Sequence, residues 1–245
     1  RKRSPGTMRI LLTGYSDLAA IVGSVNEGEV FRFISKPWDQ DEIKATIAQA
    51  VQAARETHAH AVAAPAADAP RTSSFGAGPL PDLLLLDDSM ADRNAMAKLF
   101  AADYRVHGAA TIQDALKVLE AHDVGVIVAE ARVGNTDTGQ LLRVLKQQYP
   151  AITTVMLTNT ADADLVIKLI NQAQIFRFAT KPIRDGAFQL AVSAAMKEHQ
   201  RFRANPILVK RHQVARSTEP ENASLVASVM RSLGGVRSRL ASMFH

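Results

Sequence analysis

A chain of 245 residues, 47% hydrophobic and 22% charged, has an ordinary globular composition and could hold one large domain or two of about 120 residues. The absence of cysteine excludes disulfides, thiol catalysis and cysteine metal sites, and fits a cytoplasmic protein. The net charge of +5 is unevenly placed: from Lys197 onward nine Lys/Arg face three Glu, a net of +6, so the basic balance belongs to the tail.

The longest strongly apolar run, Leu83 to Leu86, is far too short to span a bilayer, and no signal-peptide pattern opens the chain. The start Arg-Lys-Arg-Ser-Pro, without an initiator methionine, suits a fragment or a processed product. The first predicted elements are a strand over Met8 to Leu12, a helix over Leu18 to Asn26, a strand over Val30 to Ile34 and a helix over Glu42 to Ala54. Gly28 suits a left-handed cap after the first helix. Residues 57–81 are rich in Ala, Pro, Gly and Ser without a period and read as a linker, with His58 and His60 a solvated pair rather than a metal site.

After the linker, strands are expected at Leu83 to Leu86, Tyr104 to Gly108, Val124 to Val128, Ile152 to Leu157 and Ile175 to Ala179. Helices are expected from Arg93 to Ala102, after a capping box at Thr111 to Asp114, and over Leu141 to Tyr149, Asp164 to Gln172 and Arg184 to Arg203. Five strands alternating with five helices predict an α/β fold with a doubly wound parallel sheet. In the tail, residues 204–245, a capping box at Thr218 to Glu221 precedes an amphipathic basic helix running from Leu225 to Phe244. That helix suits packing on a partner or on the domain itself, and the lack of aromatic interleaving argues against nucleic acid.

An internal repeat crosses this layout. Laid over residues 153–196 at a constant offset of 145, residues 8–51 show ten identities. Among them are Thr13/Thr158, Asn26/Asn171, Phe31-Arg32-Phe33 over Phe176-Arg177-Phe178, and Lys36-Pro37 over Lys181-Pro182. So long a period indicates a duplicated domain rather than a solenoid.

In an open parallel sheet, active groups collect at the carboxyl ends of the strands, which here places Asp87, Asp88, Glu130, Thr158 and Lys181 on one edge. Adjacent carboxylates at the end of a buried strand resist ionising together, and a hard dication such as Mg²⁺ removes that conflict. Thr158 offers a hydroxyl and Lys181 a point charge, so the set suits metal-assisted handling of a phosphoryl group. More ordinary roles stand beside this one: Asp87 and Asp88 as caps of the next helix, Phe33 and Phe178 as core aromatics, Trp38 as a packing residue.

These residues strongly resemble the receiver domain of bacterial two-component response regulators. The acidic pair Asp87-Asp88, then Glu130, Thr158 and Lys181-Pro182 follow at intervals of 42, 28 and 23, and TGYSD, NEG and FRFISKPW in residues 1–56 are familiar from the same family. The resemblance implies a flavodoxin-like (CheY-like) five-stranded sheet over residues 82–203 and the C-terminal half of another receiver over residues 1–56. It implies Asp87 and Asp88 as metal ligands, Mg²⁺ as the cofactor, and Thr158, Lys181 and Phe178 as the phosphoryl-contacting and switch residues, with Thr13, Lys36 and Phe33 as their first-copy equivalents. A histidine kinase or histidine phosphotransfer protein is the implied phosphoryl source and a downstream signalling protein the implied target; a homodimer is also compatible.

The departures matter as much as the matches. Glu130 stands where the family has its phosphoacceptor aspartate, the usual Met-Pro is absent, and one extra residue precedes Gly139. Glutamate is one methylene longer, a poorly placed nucleophile whose carboxylate reaches toward the phosphoryl position and weakens the case for Mg²⁺. The expectation is a non-enzymatic two-component protein with a degenerate receiver, acting through protein–protein interaction. The alternative is a non-phosphorylated scaffold or dimerisation module. A haloacid-dehalogenase-type enzyme would need Asp-x-Asp, which Asp87-Asp88-Ser89 does not supply.

Overall fold

Residues 82–180 supply one parallel sheet with strands β3 (Asp82–Leu86), β4 (Arg105–Ala109), β5 (Val124–Glu130), β8 (Thr153–Thr158) and β9 (Arg177–Thr180). In this computed structural model, residues 7–14, 18–28, 30–63, 79–158, 163–205, 208 and 227 are described. Ahead of the sheet come β1 (Ile10–Thr13), α1 (Leu18–Gly28), β2 (Arg32–Ser35) and α2 (Gln40–Ala63). Its crossovers are α3 (Met90–Phe100), α4 (Ile112–Ala121), α5 (Gly139–Gln148) and α6 (Ala163–Ala173), with α7 (Asp185–Ala204) closing the domain. A small antiparallel hairpin, β6 (Arg132–Val133) with β7 (Thr136–Asp137), leaves the end of β5.

The strand order β4-β3-β5-β8-β9 is that of the flavodoxin-like doubly wound fold, with β5 at the centre. Alternate residues of each strand enter opposite layers. Leu84, Ile127 and Met156 pack under α4, α5 and α6. Leu83, Leu85, Val126, Val128 and Val155 pack against Met96 and Phe100 of α3 and Phe188, Val192 and Met196 of α7. Coverage on both faces explains why these strands read as unbroken apolar runs. The one glycine in β5, Gly125, is required by a close approach: a Cβ there would lie 2.7 Å from Cδ2 of His199, a buried α7 residue bonded through Nδ1 to the Ala151 carbonyl.

Local signals set most boundaries. The Thr111 hydroxyl caps α4 by accepting from the Asp114 N–H at 3.1 Å and donating to its carboxylate at 2.8 Å. α3 begins at Met90, three residues before the expected Arg93, because Ser89 is the N-cap and accepts from the Asp92 N–H at 3.3 Å. Gly28 is the last residue of α1, not a residue beyond it. α2 continues to Ala63, seven residues into the segment expected as linker and through His58 and His60, since an alanine-rich stretch keeps a high helix propensity. Residues 64–78 and the predicted tail helix, apart from Ala227, lie outside the described residues.

α1 and α6, β2 and β9, and the first residues of α2 and α7 coincide at the offset of 145. Both Lys-Pro bonds, Lys36-Pro37 and Lys181-Pro182, are cis. The repeat is therefore one of geometry as well as of residues.

One buried cation in this scaffold has a measurable consequence. Lys146 of α5 donates to the carbonyls of Pro150 (2.8 Å) and Ile152 (3.3 Å) and lies 5.4 Å from the centre of the Phe202 ring. Burial lowers its pKa from 10.5 to about 7, against a raising effect of Glu198. Between those values the unfolded chain holds a proton that the folded chain does not, so this group makes stability rise with pH, at most by about 1.4 kcal/mol per unit. Urea unfolding of the wild type and Lys146→Met should show the wild type gaining on the variant from about pH 7 to pH 9.5. An unchanged difference would contradict the assignment.

Candidate functional site

Where strands β3, β5 and β9 end, three carboxylates converge on one ammonium. Asp87 follows the last residue of β3, Glu130 ends β5, and Lys181 follows β9. Lys181 Nζ lies 2.6 Å from Glu130 Oε2, 2.8 Å from Asp87 Oδ2 and 2.8 Å from Asp92 Oδ2. Asp87 is fully buried, its other oxygen accepting from the Ser89 N–H at 2.8 Å. Thr158 is buried at the end of β8, and its carbonyl accepts from the Lys181 N–H at 3.1 Å. The structure thus brings Asp87, Glu130, Thr158 and Lys181 to one edge. Asp88 sits apart from the lysine: it is exposed, and its Oδ2 accepts from the Gly134 N–H at 2.8 Å.

Burial dominates at Glu130 and raises its carboxyl pKa, although the contact with Lys181 works in the other direction. At Lys181 burial opposes the charge, yet hydrogen bonds to Asp87, Asp92 and Glu130 together hold the ammonium above the ordinary lysine range. The hydrogen bond from Lys181 lowers the Asp92 carboxyl. The lysine is thereby fixed in its charged form at the centre of the group. Asp87 and Glu130 at the lysine, and Asp88 on the outer side of the same edge, offer carboxylate oxygens, the ligand chemistry of Mg²⁺. These residues fit such an ion, which would be held by Asp88 and Asp87 and would supply positive charge against anionic oxygens.

The hairpin absorbs the extra residue after Glu130. Gly134 turns it with a φ of +58°, a left-handed conformation that suits glycine. The Thr138 hydroxyl, fully buried, donates toward the carbonyls of Glu130 (2.7 Å) and Ala131 (3.0 Å), which ties the hairpin to the end of β5. Asp137 is exposed and accepts from the Gly139 N–H at 2.7 Å, a capping role at the start of α5.

Phe178 is buried, and its surroundings come from both ends of the chain. Its N–H donates to Asn26 Oδ1 (3.0 Å) and its carbonyl accepts from Asn26 Nδ2 (2.9 Å). The reciprocal pair is present as well: Phe33 N–H donates to Asn171 Oδ1 (2.9 Å), and the Phe33 carbonyl accepts from Asn171 Nδ2 (2.8 Å). Asn26 and Asn171 are repeat equivalents, as are Phe33 and Phe178. Ile21, Val25 and Phe33 share one apolar cluster with Val166, Ile170 and Phe178. Arg32 stacks on Phe31 at 4.4 Å and Arg177 on Phe176 at 4.2 Å, and burial lowers both guanidinium pKa values. α1 and β2 therefore dock on α6 and β9 through a two-fold-like contact in which each side chain amide completes the edge strand opposite it. A groove of about 360 Å³ beside this contact is lined by Asn26, Arg177, Phe178, Arg184 and Leu190 among others.

In the first copy, Thr13 ends β1, its carbonyl accepting from the Lys36 N–H at 2.7 Å as that of Thr158 does from Lys181. The Lys36 side chain is exposed and lies 5.8 Å from the centre of the Trp38 ring. Sequence reasoning missed Asp92, whose only signal was its place in the first turn of α3. It also gave no role to the asparagines, although their repetition on otherwise apolar helix faces was visible.

Residues 83–193 match the family model of the response regulator receiver domain. The chain is 42% identical over 53 residues to the hydrogenase transcriptional regulatory protein HoxA of Cupriavidus necator, and 35% identical over 52 residues to that of Bradyrhizobium diazoefficiens. These matches take in 22% and 21% of the chain and 11% of each relative, so the chain spans about a tenth of the length of the curated proteins it matches. Among solved structures, the signal receiver domain of an HD domain-containing protein from Pseudomonas fluorescens Pf-5 superposes with a TM-score of 0.51 at 28% identity, covering 54% of this chain and 98% of that one.

Proposed function

We propose that residues 83–193, which match the family model of the response regulator receiver domain, act as a receiver that signals through its interaction surface, with Glu130 in the acceptor position replacing phosphorylation. The observation that carries this reading is the 2.6 Å ion pair between Glu130 and Lys181. A carboxylate there engages the lysine that an acyl phosphate would engage, and its Oε2 is already committed to that contact. Asp87, Asp88 and Mg²⁺ belong to the same reading as an inherited cation site, and Thr158 and Phe178 as inherited switch residues. A histidine kinase or phosphotransfer protein is the family-level partner on the input side, and another signalling protein on the output side.

Residues 1–56 read as the C-terminal half of a further receiver, with Thr13, Phe33 and Lys36 in the places of Thr158, Phe178 and Lys181. Their docking on the face that includes Phe178 favours a second reading, a scaffold whose receiver-like faces serve association alone. Among the described residues no helix is long and apolar enough to cross a membrane, and the cytoplasm is the proposed location.

Incubation with a small-molecule phosphodonor and Mg²⁺, followed by intact mass, tests the reading. The wild type is expected to stay unmodified and Glu130→Asp to gain about 80 Da, one phosphoryl group. A stable adduct on wild-type residues 82–203 would overturn the substitution of Glu130 for phosphorylation. No adduct on Glu130→Asp, with the fold retained, would favour the scaffold.

A further inference from the structure

At the opposite edge of the sheet from Lys181, a second group of ligating side chains comes together. Asp82 is the first residue of β3, His107 lies in β4, and His122 is the C-cap residue of α4. At about 3.3 Å per strand residue, Asp82 stands on the order of 16 Å from the Asp87 end of its strand. Asp82 pairs with Arg105 and Leu84 with His107 in the β3–β4 ladder, so Asp82 and His107 lie on the same sheet face, the one covered by α4. His107 Nε2 is 2.7 Å from Asp82 Oδ1. The His107 and His122 rings stack at 3.9 Å between centroids, 27° from parallel. One ligand atom from each of the three residues lies within 4.8 Å of the other two.

We infer that Asp82, His107 and His122 form a binding site for a late first-row divalent cation such as Zn²⁺, separate from the carboxylate site around Lys181. The donor set decides the class of ion: two imidazoles and one carboxylate match Zn²⁺ and its neighbours, whereas Mg²⁺ takes oxygen ligands. Tetrahedral zinc with bonds near 2.0–2.2 Å needs ligand atoms roughly 3.3 Å apart, within reach of small side-chain rotations from the observed spacing. Three protein ligands leave a fourth position for water or for a group on a partner. The Asp82 and His107 side chains are 12% and 14% exposed, so the group is sheltered while still open to an ion.

Arg105 is the competing cation. Its Nη1 lies 3.6 Å from Asp82 Oδ1, but the side chain is 52% exposed and can turn into water without losing a buried contact. An ion at Asp82 would displace it. The two cations therefore compete for one carboxylate, which separates a metal site from a merely structural His–Asp hydrogen bond.

The test titrates Zn²⁺ into the full chain against a chromophoric chelator. One equivalent should bind, His107→Ala/His122→Ala should weaken that binding by about 100-fold or more, and Arg105→Ala should tighten it. Equal affinity in the wild type and the double variant would overturn the site, because the ion would then sit on other histidines. If the double variant loses its fold, imidazole resonances of the wild type decide: His107 and His122 must both shift with one equivalent, and unshifted resonances overturn the proposal. Mg²⁺ should leave both unmoved. Since Glu130 takes no part, a failure here leaves the reading of residue 130 untouched.

Discussion

Replacing Lys181 by methionine is expected to lower the unfolding free energy by about 3–5 kcal/mol near neutral pH, the range for leaving buried charges without their partner. Asp87 and Glu130 are buried, and both contact Lys181 within 2.8 Å, as does Asp92. Without the ammonium, repulsion adds to the burial that already raises the Glu130 carboxyl pKa. A carboxyl pKa raised in the folded state favours that state below the pKa of the unfolded group, and the benefit is lost as pH rises through the folded value. The deficit of Lys181→Met should therefore shrink as the pH is lowered toward about 5, and millimolar Mg²⁺ should restore part of it at neutral pH by supplying charge to the same oxygens. Urea unfolding at two pH values, with and without Mg²⁺, reads both effects. A loss below about 1 kcal/mol, insensitive to pH, would mean that the cluster is solvated like a surface ion pair.

The second large effect is expected at the two asparagines. Asn26 and Asn171 each satisfy one backbone N–H and one carbonyl on the strand opposite. Alanine at either position leaves two partly buried backbone groups without that partner, a cost of about 1–3 kcal/mol for each site. In the double variant the Phe33 and Phe178 amides should lose hydrogen-exchange protection, while Val126 and Ile127 in the central strand keep theirs. Unchanged protection at both phenylalanines would show that apolar packing of Val25 and Ile170 alone holds the two segments together.

Much of the fold could be read in advance because local and tertiary demands agree. The apolar runs of β3, β5 and β8 are covered on both faces, and all five strands fall within two residues of their expected starts. The hairpin at Gly134 was not readable, since two-residue strands carry no periodicity; only the extra residue hinted at it. At the site, Asp87, Glu130 and Lys181 were legible from spacing and meet as expected. Asp88 was legible as a neighbour of Asp87, but the chain turns between them, sending one inward and the other out to Gly134. The cluster of Asp82, His107 and His122 was invisible because 25 and 15 residues separate its members and only the β3–β4 register and the end of α4 unite them. The reciprocal asparagine contacts were hidden for the same reason: the repeat reveals equivalence, whereas contact between equivalents depends on docking.

That docking has a consequence for how the face that includes Phe178 responds to protein concentration. A two-fold contact between separate molecules assembles and dissolves as their concentration changes, and any substitution in it enters twice. Here both halves are carried by one chain, so occupancy follows an effective concentration fixed by the tether and is insensitive to dilution. A change at Asn26 alters the bonds to Phe178 and leaves those from Asn171 to Phe33 in place. The two sides are thus free to diverge in sequence, one tuned for holding and the other for release, which a true homodimer cannot do.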